Sequence, residues 1–302
     1  MSCQHMHSSF APPAVAALFL VLMCAALPAP VMGWGKEGHH IVAMIAEKRL
    51  SATARQKLNT LLKNHQQLKI CKLSAAAALG DKLACVSTWA DRSRNNTHPQ
   101  TYNWHFVDIS LRHETYDERR DCEPDNQEEK GKCGLEGLER MRSILRGETT
   151  DPEIDRAQAL MFIVHIVGDL HQPLHTVKEK VGGNSFNVLY FKIQTDLHKV
   201  WDTKILASRM SALGETESGY ADVLNGQIDG AGEASLLRGD AVSWLNETHA
   251  VAIEDAYGTL KQTGGGKPSL GKTYFEHNWP IVDEQLKRGG VRLARILKDD
   301  LR

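Results

Sequence analysis

The 302-residue sequence carries 36 basic and 37 acidic side chains, so its formal net charge at pH 7 is −1. A protein that holds nucleic acid mainly by neutralising phosphates is expected to be basic, so any phosphate affinity here needs another source, such as metal ions. Beyond an apolar amino-terminal segment, residues 34–302 are enough for one domain and contain no further run long enough to cross a membrane.

The first 33 residues contain no Asp, Glu, Lys or Arg, and residues 14–27 form a continuous apolar block. This length is typical of a secretory signal peptide rather than of a bilayer-spanning helix. Small or modest residues end the segment at Gly33, which predicts cleavage before Trp34. We therefore expect a signal peptide over 1–33 and a mature domain over 34–302, secreted or in the secretory lumen and free of the membrane. Earlier cleavage and a retained anchor are the alternatives.

Most of the mature chain shows apolar residues at three- and four-residue spacing, which predicts packed helices. The periodic segments are residues 38–50, 75–94, 135–145, 154–170, 234–260 and 280–301. Alternating residues over 184–193 predict a strand, and the charged segment 115–134 and the glycine run at 264–268 predict loops. The expected fold class is all-α, a mainly helical single domain with a short β-hairpin.

Two of the six cysteines, Cys3 and Cys24, would leave with the signal peptide. The four that remain allow three disulfide connectivities, and a thiolate metal site is the competing interpretation, although no Cys-x-x-Cys spacing occurs. We favour the two pairs that are local in sequence, Cys71 with Cys85 and Cys122 with Cys133. Asn95 and Asn246 begin Asn-x-Thr sequons and are candidate glycan sites in a eukaryotic secretory pathway.

Histidine and aspartate recur at a spacing of four. His165 and Asp169 leave one face of a predicted helix, and imidazole with carboxylate is a good donor set for zinc. Alone, the pair is more simply a buried histidine hydrogen-bonded to an aspartate one turn away. The same spacing returns at His198 and Asp202, and His175 follows a proline that should end the helix. The repetition favours metal binding.

Together with upstream carboxylate and imidazole groups, these residues resemble the zinc-dependent single-strand-specific nucleases of fungi, plants, some bacteria and protists, the S1/P1 type. The resemblance runs in colinear blocks from the mature amino terminus to Asp202 and continues weakly through Trp244. The blocks are Trp34-Gly35-x-x-Gly38-His39, Trp89-Ala90-Asp91-x-x-Arg94, His105-Phe106-Val107-Asp108, His165-x-x-x-Asp169-x-x-Gln172-Pro173-Leu174-His175, Gly182-Gly183-Asn184 and His198-x-x-x-Asp202.

The resemblance implies a fold related to zinc-dependent phospholipase C and three Zn²⁺ ions per chain. The implied ligands of one zinc are Asp91, His105, His165 and Asp169, and those of a second are His175, His198 and Asp202. The third zinc would bind the free α-amino nitrogen and carbonyl oxygen of Trp34, with His39 and the bridging Asp169. Asp91 and Asp169 thereby stand at the reaction centre, and activity would require removal of the signal peptide.

The resemblance also implies residues that contact the substrate. Arg94 is expected to hold a nonbridging phosphate oxygen, unless it is an ordinary surface arginine. Phe106 is the expected stacking face for a base and Asp108 the acceptor for its edge, although a lone aromatic is more often plain core. Asn184 would contact substrate or form a turn into the strand. Stacking needs an unstacked base, which favours single strands.

The expected function is a secreted, monomeric zinc endonuclease acting on single-stranded RNA and DNA, with 5′-phosphate products and with 3′-nucleotides as further substrates. One alternative is a zinc-dependent phospholipase C acting on lipid phosphodiesters. Another is an inactive metal-binding protein, for which a missing ligand would be expected, and none is missing. The four histidines outside the pattern are expected to be structural or solvent-facing: His40, His113, His171 and His249.

Overall fold

The computed structural model describes residues 34–63, 65–122, 131–260 and 266–302, most of them in helices. In chain order the α-helices are α1 (Lys36–Lys48), α2 (Ala52–Leu62), α3 (Gln66–Ile70), α4 (Leu79–Ser87), α5 (Trp89–Ser93), α6 (Glu118–Asp121), α7 (Gly134–Arg146), α8 (Arg156–Asp169), α9 (Leu197–Lys199), α10 (Ile205–Leu213), α11 (Glu217–Gly226), α12 (Gly230–Leu236), α13 (Ala241–Val251) and α14 (Lys272–Asp300). Tighter or wider helical turns cover Pro99–His105, Pro173–Thr176, Val200–Lys204 and Ala252–Tyr257.

Three short strands complete the fold: β1 (Asn187–Tyr190), β2 (Ile193–Asp196) and β3 (Ser269–Leu270). The prediction of a mainly helical fold with a short β-hairpin is therefore confirmed. The expected signal peptide and parts of the two predicted loops lie outside the described residues. Within the described ranges, no helix is both long and apolar enough to cross a membrane.

Helix α8 lies at the centre of the core. Asp155 begins it with a capping box, accepting from the Gln158 backbone while the Gln158 side chain accepts from the Asp155 backbone. Every residue from 159 to 169 is buried, and α1, α4, α5, α7 and α14 all pack against the helix. The carboxyl-terminal turn of α8 therefore carries its polar side chains into the interior, where they need partners.

Helix α1 packs against α4, α11 and α14 as well as α8. The approach to α14 is close, since a Cβ at Gly290 would come within 2.6 Å of the Cβ of Ile45. Backbone contact of this kind requires glycine. Packing on several sides fixes α1 against the core.

The predicted helix ranges need three corrections. Residues 75–94 form two helices, because Thr88 leaves helical geometry between α4 and α5 (φ −103°, ψ 8°). Residues 234–260 are interrupted before α13, where the Asp240 carboxylate accepts a hydrogen bond from Ser243 N at 2.8 Å and starts a new helix. The last helix begins at Lys272 and continues through Pro280, supported by the burial of Tyr274 and Val282.

The predicted strand over 184–193 is a hairpin whose first strand ends at Tyr190. Phe191 and Lys192 form the turn with positive φ angles of 48° and 70°, so Ile193 belongs to the second strand. Val188 and Tyr190 face the core, as their alternation predicts. A parallel third strand, β3, pairs with β1 and was not predicted from the sequence.

Both sequence-local disulfides are present. Cys71 and Cys85 join the end of α3 to α4, with their Cα atoms 6.1 Å apart. Cys122 and Cys133 join the end of α6 to the start of α7, with 5.1 Å between Cα atoms. Cross-links closing loops of this size stabilise a fold by about 2–4 kcal/mol each, mainly by restricting the unfolded chain.

Candidate metal centre

The first group of polar side chains is built on α8. His165 and Asp169 are fully buried, and His165 Nε2 lies 3.0 Å from Asp169 Oδ2. The other ring nitrogen, Nδ1, lies 2.6 Å from the carbonyl oxygen of Ser87 at the end of α4. A carbonyl only accepts, so Nδ1 carries the proton and Nε2 points a lone pair at the cluster. Metal-binding histidines are oriented in this way.

Two other elements bring Asp91 and His105 to the same place. His105, at the end of the turn Pro99–His105, has its Nδ1 2.8 Å from His165 Nε2 and 3.2 Å from Asp169 Oδ2. Asp91, on the short helix α5, places Oδ1 3.6 Å from His165 Nε2 and 3.7 Å from His105 Nδ1. The four predicted ligands of the first zinc therefore meet.

A second group contains His175, His198 and Asp202. Both histidines turn Nδ1 towards a backbone carbonyl at 2.6 Å, that of His105 for His175 and that of Gly182 for His198. Their Nε2 atoms then face each other at 3.2 Å, and His198 Nε2 lies 3.1 Å from Asp202 Oδ2. Two imidazole lone pairs and a carboxylate directed at one another are unfavourable unless a cation lies among them.

The third group joins α1 to Asp169. His39 Nε2 lies 3.2 Å from Asp169 Oδ1, and the His39 ring stacks on that of His165 with centroids 4.1 Å apart. Asp169 thus presents one oxygen to His39 and the other to His105 and His165. Gly35 N donates to the Asp202 carbonyl oxygen at 2.9 Å, which fixes the chain next to Trp34 beside the second group.

Eight His and Asp side chains therefore form three buried triplets, in each of which the potential ligand atoms lie within 4.8 Å of one another. The triplets are His39, His165 and Asp169; Asp91, His105 and His165; and His175, His198 and Asp202. The structure shares His165 between two triplets, whereas the sequence assigns it to one zinc. Nitrogen and carboxylate donors at this density are the ligand set that zinc prefers.

The electrostatics of these groups fit a cation. Burial lowers the pKa of His105 to about 4. Burial acts to lower the pKa of His165 as well, but Asp169 and Asp91 raise it to about 9, so without a metal ion Nε2 would hold a proton that a cation would replace. Burial alone would raise the pKa of Asp169, yet neighbouring His165 and His175 hold it well below its usual range. Asp169 thus keeps its negative charge and attracts a positive charge, whereas burial raises the pKa of Asp202 in the second group to about 6.

Several buried atoms in the cluster lack a hydrogen bond of acceptable geometry within the described structure. They include His39 Nε2, Asp91 Oδ1 and Asp169 Oδ1. A buried polar atom without a partner costs about 1–3 kcal/mol, and more when it is charged. Bound metal ions would satisfy all three atoms, so the residues present fit a metal centre.

Two supporting residues were missed as such from the sequence. A Cβ at Gly168 would lie 2.6 Å from His39 Nδ1, so only glycine on this face of α8 lets the His39 ring reach the cluster. Gln172 belongs to one of the sequence blocks that resemble the family, but the sequence indicates no role for it. It is fully buried, and its side-chain amide donates to Asp202 Oδ1. Gly168 directly precedes Asp169 and Gln172 lies three residues after it, so closeness in sequence to a candidate ligand is the signal that could have found both.

Arg94 lies in the core rather than on the surface. Its Nη2 is 3.3 Å from Asp91 Oδ1, and its guanidinium lies over the Tyr102 ring, 5.5 Å from the centroid. No nitrogen of this guanidinium has a hydrogen-bond partner in the part of the chain that is described. The ordinary surface-arginine interpretation is therefore inconsistent with its burial, and the guanidinium lies within ion-pair distance of a candidate metal ligand.

Of the predicted substrate-contacting residues, Phe106 lies beside Tyr102, the ring that the Arg94 guanidinium covers. Phe106 is half-buried and meets the edge of the Tyr102 ring at 6.3 Å between centroids, so it is not plain core. Desolvation raises the pKa of the Asp108 carboxyl to about 6, although part of this residue is exposed. Asn184 donates its amide to Val181 O at 2.9 Å, which supports its interpretation as a turn residue.

The histidines outside the pattern have other partners. His171 Nδ1 lies 2.7 Å from Val167 O, and its Nε2 accepts from Arg292 at 3.0 Å. His249 Nε2 is 2.9 Å from the carbonyl of His113, and His40 pairs with a glutamate of α11 at 2.5 Å. His40, His171 and His249 are thus bound outside the cluster, as expected from the sequence.

The mainly helical fold and the buried His and Asp cluster define a class of metal-binding protein. Comparison with known proteins identifies the family. The family model described as S1/P1 Nuclease matches residues 34–302, and the chain belongs to this family. It is 30% identical to Endonuclease 4 of Arabidopsis thaliana, over 92% of either chain. It is 25% identical to Nuclease S1 of Aspergillus oryzae, over 87% of this chain and 90% of the relative. For Nuclease P1 of Penicillium citrinum the identity is 26%, over 88% and 97%.

Proposed function

We propose that residues 34–302 form a zinc-dependent phosphodiesterase that hydrolyses single-stranded RNA and DNA to products with 5′-phosphates. The observation that carries the proposal is the convergence of eight buried His and Asp side chains into three adjoining triplets. Membership of the S1/P1 nuclease family supports the choice of nucleic acid as the substrate. Hydrolysis of 3′-nucleotides is part of the same proposal, because the same phosphate and base contacts would serve a mononucleotide.

In this proposal the chain holds three zinc ions. One is bound by Asp91, His105, His165 and Asp169, the second by His175, His198 and Asp202, and the third by His39, Asp169 and the backbone nitrogen and carbonyl of Trp34. When bound, zinc supplies Lewis-acid stabilisation of phosphate oxygens and activation of water. The Trp34 nitrogen is a ligand only as a free amine, so the proposal includes removal of residues 1–33 as a signal peptide.

The chain's own side chains bind and orient the substrate. Arg94, buried beside Asp91, donates to a nonbridging phosphate oxygen and offsets charge that develops during the reaction. Phe106 stacks on a base, supported from the side by Tyr102, and Asp108 accepts from the base edge. A base is free to stack in this way only when it is not paired, which gives preference for single strands.

The proposal also covers the location of the protein, its monomeric state, its glycan sites and the place of Asn184. Two disulfides are typical of secreted proteins, so we place the mature protein outside the cell or in the secretory lumen, as a monomer. Asn95 and Asn246 are its candidate glycan sites. Asn184 is assigned to the loop that presents the Gly182 carbonyl to His198, rather than to substrate.

The test uses the processed protein. Amino-terminal sequencing should give Trp34, and elemental analysis should give three zinc ions per chain. Single-stranded RNA, single-stranded DNA, a 3′-mononucleotide and phosphatidylcholine are assayed in parallel, and product ends are analysed. Cleavage of the single strands to 5′-phosphate ends is expected. Turnover of phosphatidylcholine without nuclease activity would overturn the proposal in favour of a phospholipase.

A matched pair of variants tests the metal centre. Asp169→Asn removes a charge from the carboxylate shared by two zinc ions and should lower both zinc content and activity. Asp283→Asn changes another buried aspartate, which accepts from Tyr220 at 2.5 Å and lies outside the cluster. It should keep three zinc ions. Full zinc content and activity in Asp169→Asn would contradict the assignment.

A further inference from the structure

A surface groove of 460 Å³ is lined in part by α1 and α5, the helices that also carry His39 and Asp91 of the metal centre. Lys36 and His40 of α1 line it, and Arg92 lines it from α5. His40 directly follows His39 of the cluster, and Arg92 directly follows Asp91. The same two helices therefore present potential zinc ligands on one face and this groove on the next.

We propose that this groove binds a further nucleotide of a single-stranded substrate, beyond the nucleotides at the scissile phosphate. The inference rests on the proposed function and extends it, because it gives the enzyme a preference for chains longer than a dinucleotide. A volume of 460 Å³ falls within the size range of small-ligand sites and can hold one nucleotide.

The charges around the groove suit a phosphate. Arg92 is exposed and has no carboxylate within ion-pair distance in the described ranges, and the same holds for Lys69 and Lys72, which flank lining residues. Lys36 is 64% exposed and lies 3.6 Å from Glu217. The carboxylates nearby are that of Glu217, already engaged by His40, and that of Asp81. Among the described lining side chains, the cations of Lys36 and Arg92 outnumber the carboxylate of Asp81, in a chain of net charge −1.

The floor of the groove suits a base or sugar. Ile70 is 62% exposed, which is unusual for a large apolar side chain, and Met44, Leu73 and the disulfide of Cys71 continue the apolar surface. Sites for single strands combine cations that follow the backbone with apolar or aromatic faces that receive bases. An acidic peptide would use the cations but would leave the apolar floor uncovered, and the position of the groove on two of the helices that carry the metal centre favours the substrate strand.

The experiment compares a dinucleotide with an oligonucleotide of about ten residues, a length that spans a typical single-strand site. The double variant Ile70→Ser/Arg92→Gln should raise KM for the oligonucleotide by roughly fivefold or more and leave kcat and dinucleotide cleavage unchanged. The slope of log KM against log salt should fall by about 0.7 for one lost phosphate contact. The control double variant Leu213→Ser/Lys272→Gln changes an exposed leucine and an 80% exposed lysine elsewhere and should have no effect.

Two results separate the inference from the proposed function. Equal changes for both substrates, or no change for the oligonucleotide, would overturn the groove as a binding site while the nuclease assignment stands. Failure of the wild-type protein to cleave either substrate would overturn the proposed function, and the groove assignment with it. All four side chains are exposed or peripheral, so equal melting temperatures are expected for the two variants.

Discussion

Replacing Gln172 by leucine should weaken zinc binding by the triplet of His175, His198 and Asp202 without changing any of the three ligands. Gln172 donates its amide to Asp202 Oδ1 and accepts from Leu174 N at 2.5 Å. The other carboxylate oxygen, Oδ2, lies 3.1 Å from His198 Nε2. Gln172 therefore fixes which oxygen of Asp202 faces the second triplet, and it caps the turn Pro173–Thr176, which contains His175.

The magnitude follows from the atoms left without partners. Leucine fills much of the volume but leaves Asp202 Oδ1 and Leu174 N buried, at about 1–3 kcal/mol for each unsatisfied atom. Loss of a hydrogen bond that orients a metal ligand costs about 10- to 100-fold in metal affinity or activity. We expect Gln172→Leu to release one zinc at a correspondingly lower chelator concentration and to lose kcat/KM in parallel.

The assay is a chelator competition with an optical zinc indicator, run beside melting curves and kinetics. Gln285→Leu is the matched control, because Gln285 is a buried glutamine of α14 whose Oε1 has no hydrogen-bond partner within the described ranges. It should keep wild-type zinc affinity. Wild-type zinc retention and kcat/KM in Gln172→Leu would refute the view that Gln172 positions Asp202.

Three further changes test other parts of the site. Gly168→Ala places a methyl group 2.6 Å from His39 Nδ1 and should lower zinc content, measured by elemental analysis. Arg94→Lys keeps the charge but loses the paired donors, and should lower kcat by about 10²- to 10³-fold with three zinc ions retained. The Asp108 carboxyl has a raised pKa of about 6, so it is protonated below that pH and accepts poorly. The preference for a guanosine substrate over an abasic analogue should therefore fall as pH drops through 6, and Asp108→Asn should remove this step.

Each of these has a clear contrary result. Full zinc content in Gly168→Ala would show that His39 can reach the cluster by another path. A loss of zinc in Arg94→Lys would assign the arginine to the metal site rather than to phosphate. A pH dependence that persists unchanged in Asp108→Asn would place the titrating group elsewhere.

The parts of the fold with strong periodicity were predictable from the sequence. Helices α1, α7 and α8 bury continuous apolar faces and differ from their predicted ranges by two residues or fewer at each end. Shorter elements were missed although some carried a signal. Helix α2 begins at a capping serine, Ser51, and buries Ala54, Leu58 and Leu62 at a spacing of four. The strand β3 has only two residues, and its pairing with β1 depends on tertiary contacts that no local pattern encodes.

Some residues of the candidate site could likewise be predicted from local sequence, and others could not. The i, i+4 pairs on helices could be recognised locally, because helix geometry fixes their common face. Asp91, His105 and His39 could be added only through the family resemblance, since tertiary packing brings them to α8. The carbonyl of Ser87, which fixes the His165 ring, has no sequence signal at all, because a backbone acceptor is common to every residue.

The arrangement of the cluster has a consequence for the order of assembly. Gly35 N bonds to the backbone carbonyl of Asp202, so the fold itself holds the start of the domain beside the second triplet. Burying His and Asp side chains without bound cations costs free energy of folding. The packing of α1 against α8 has to offset that cost until cations bind. In the proposed enzyme, cleavage before Trp34 would therefore add an amine ligand to a centre whose other groups are already in place. Zinc binding at the third site, rather than folding, would be the step that depends on processing.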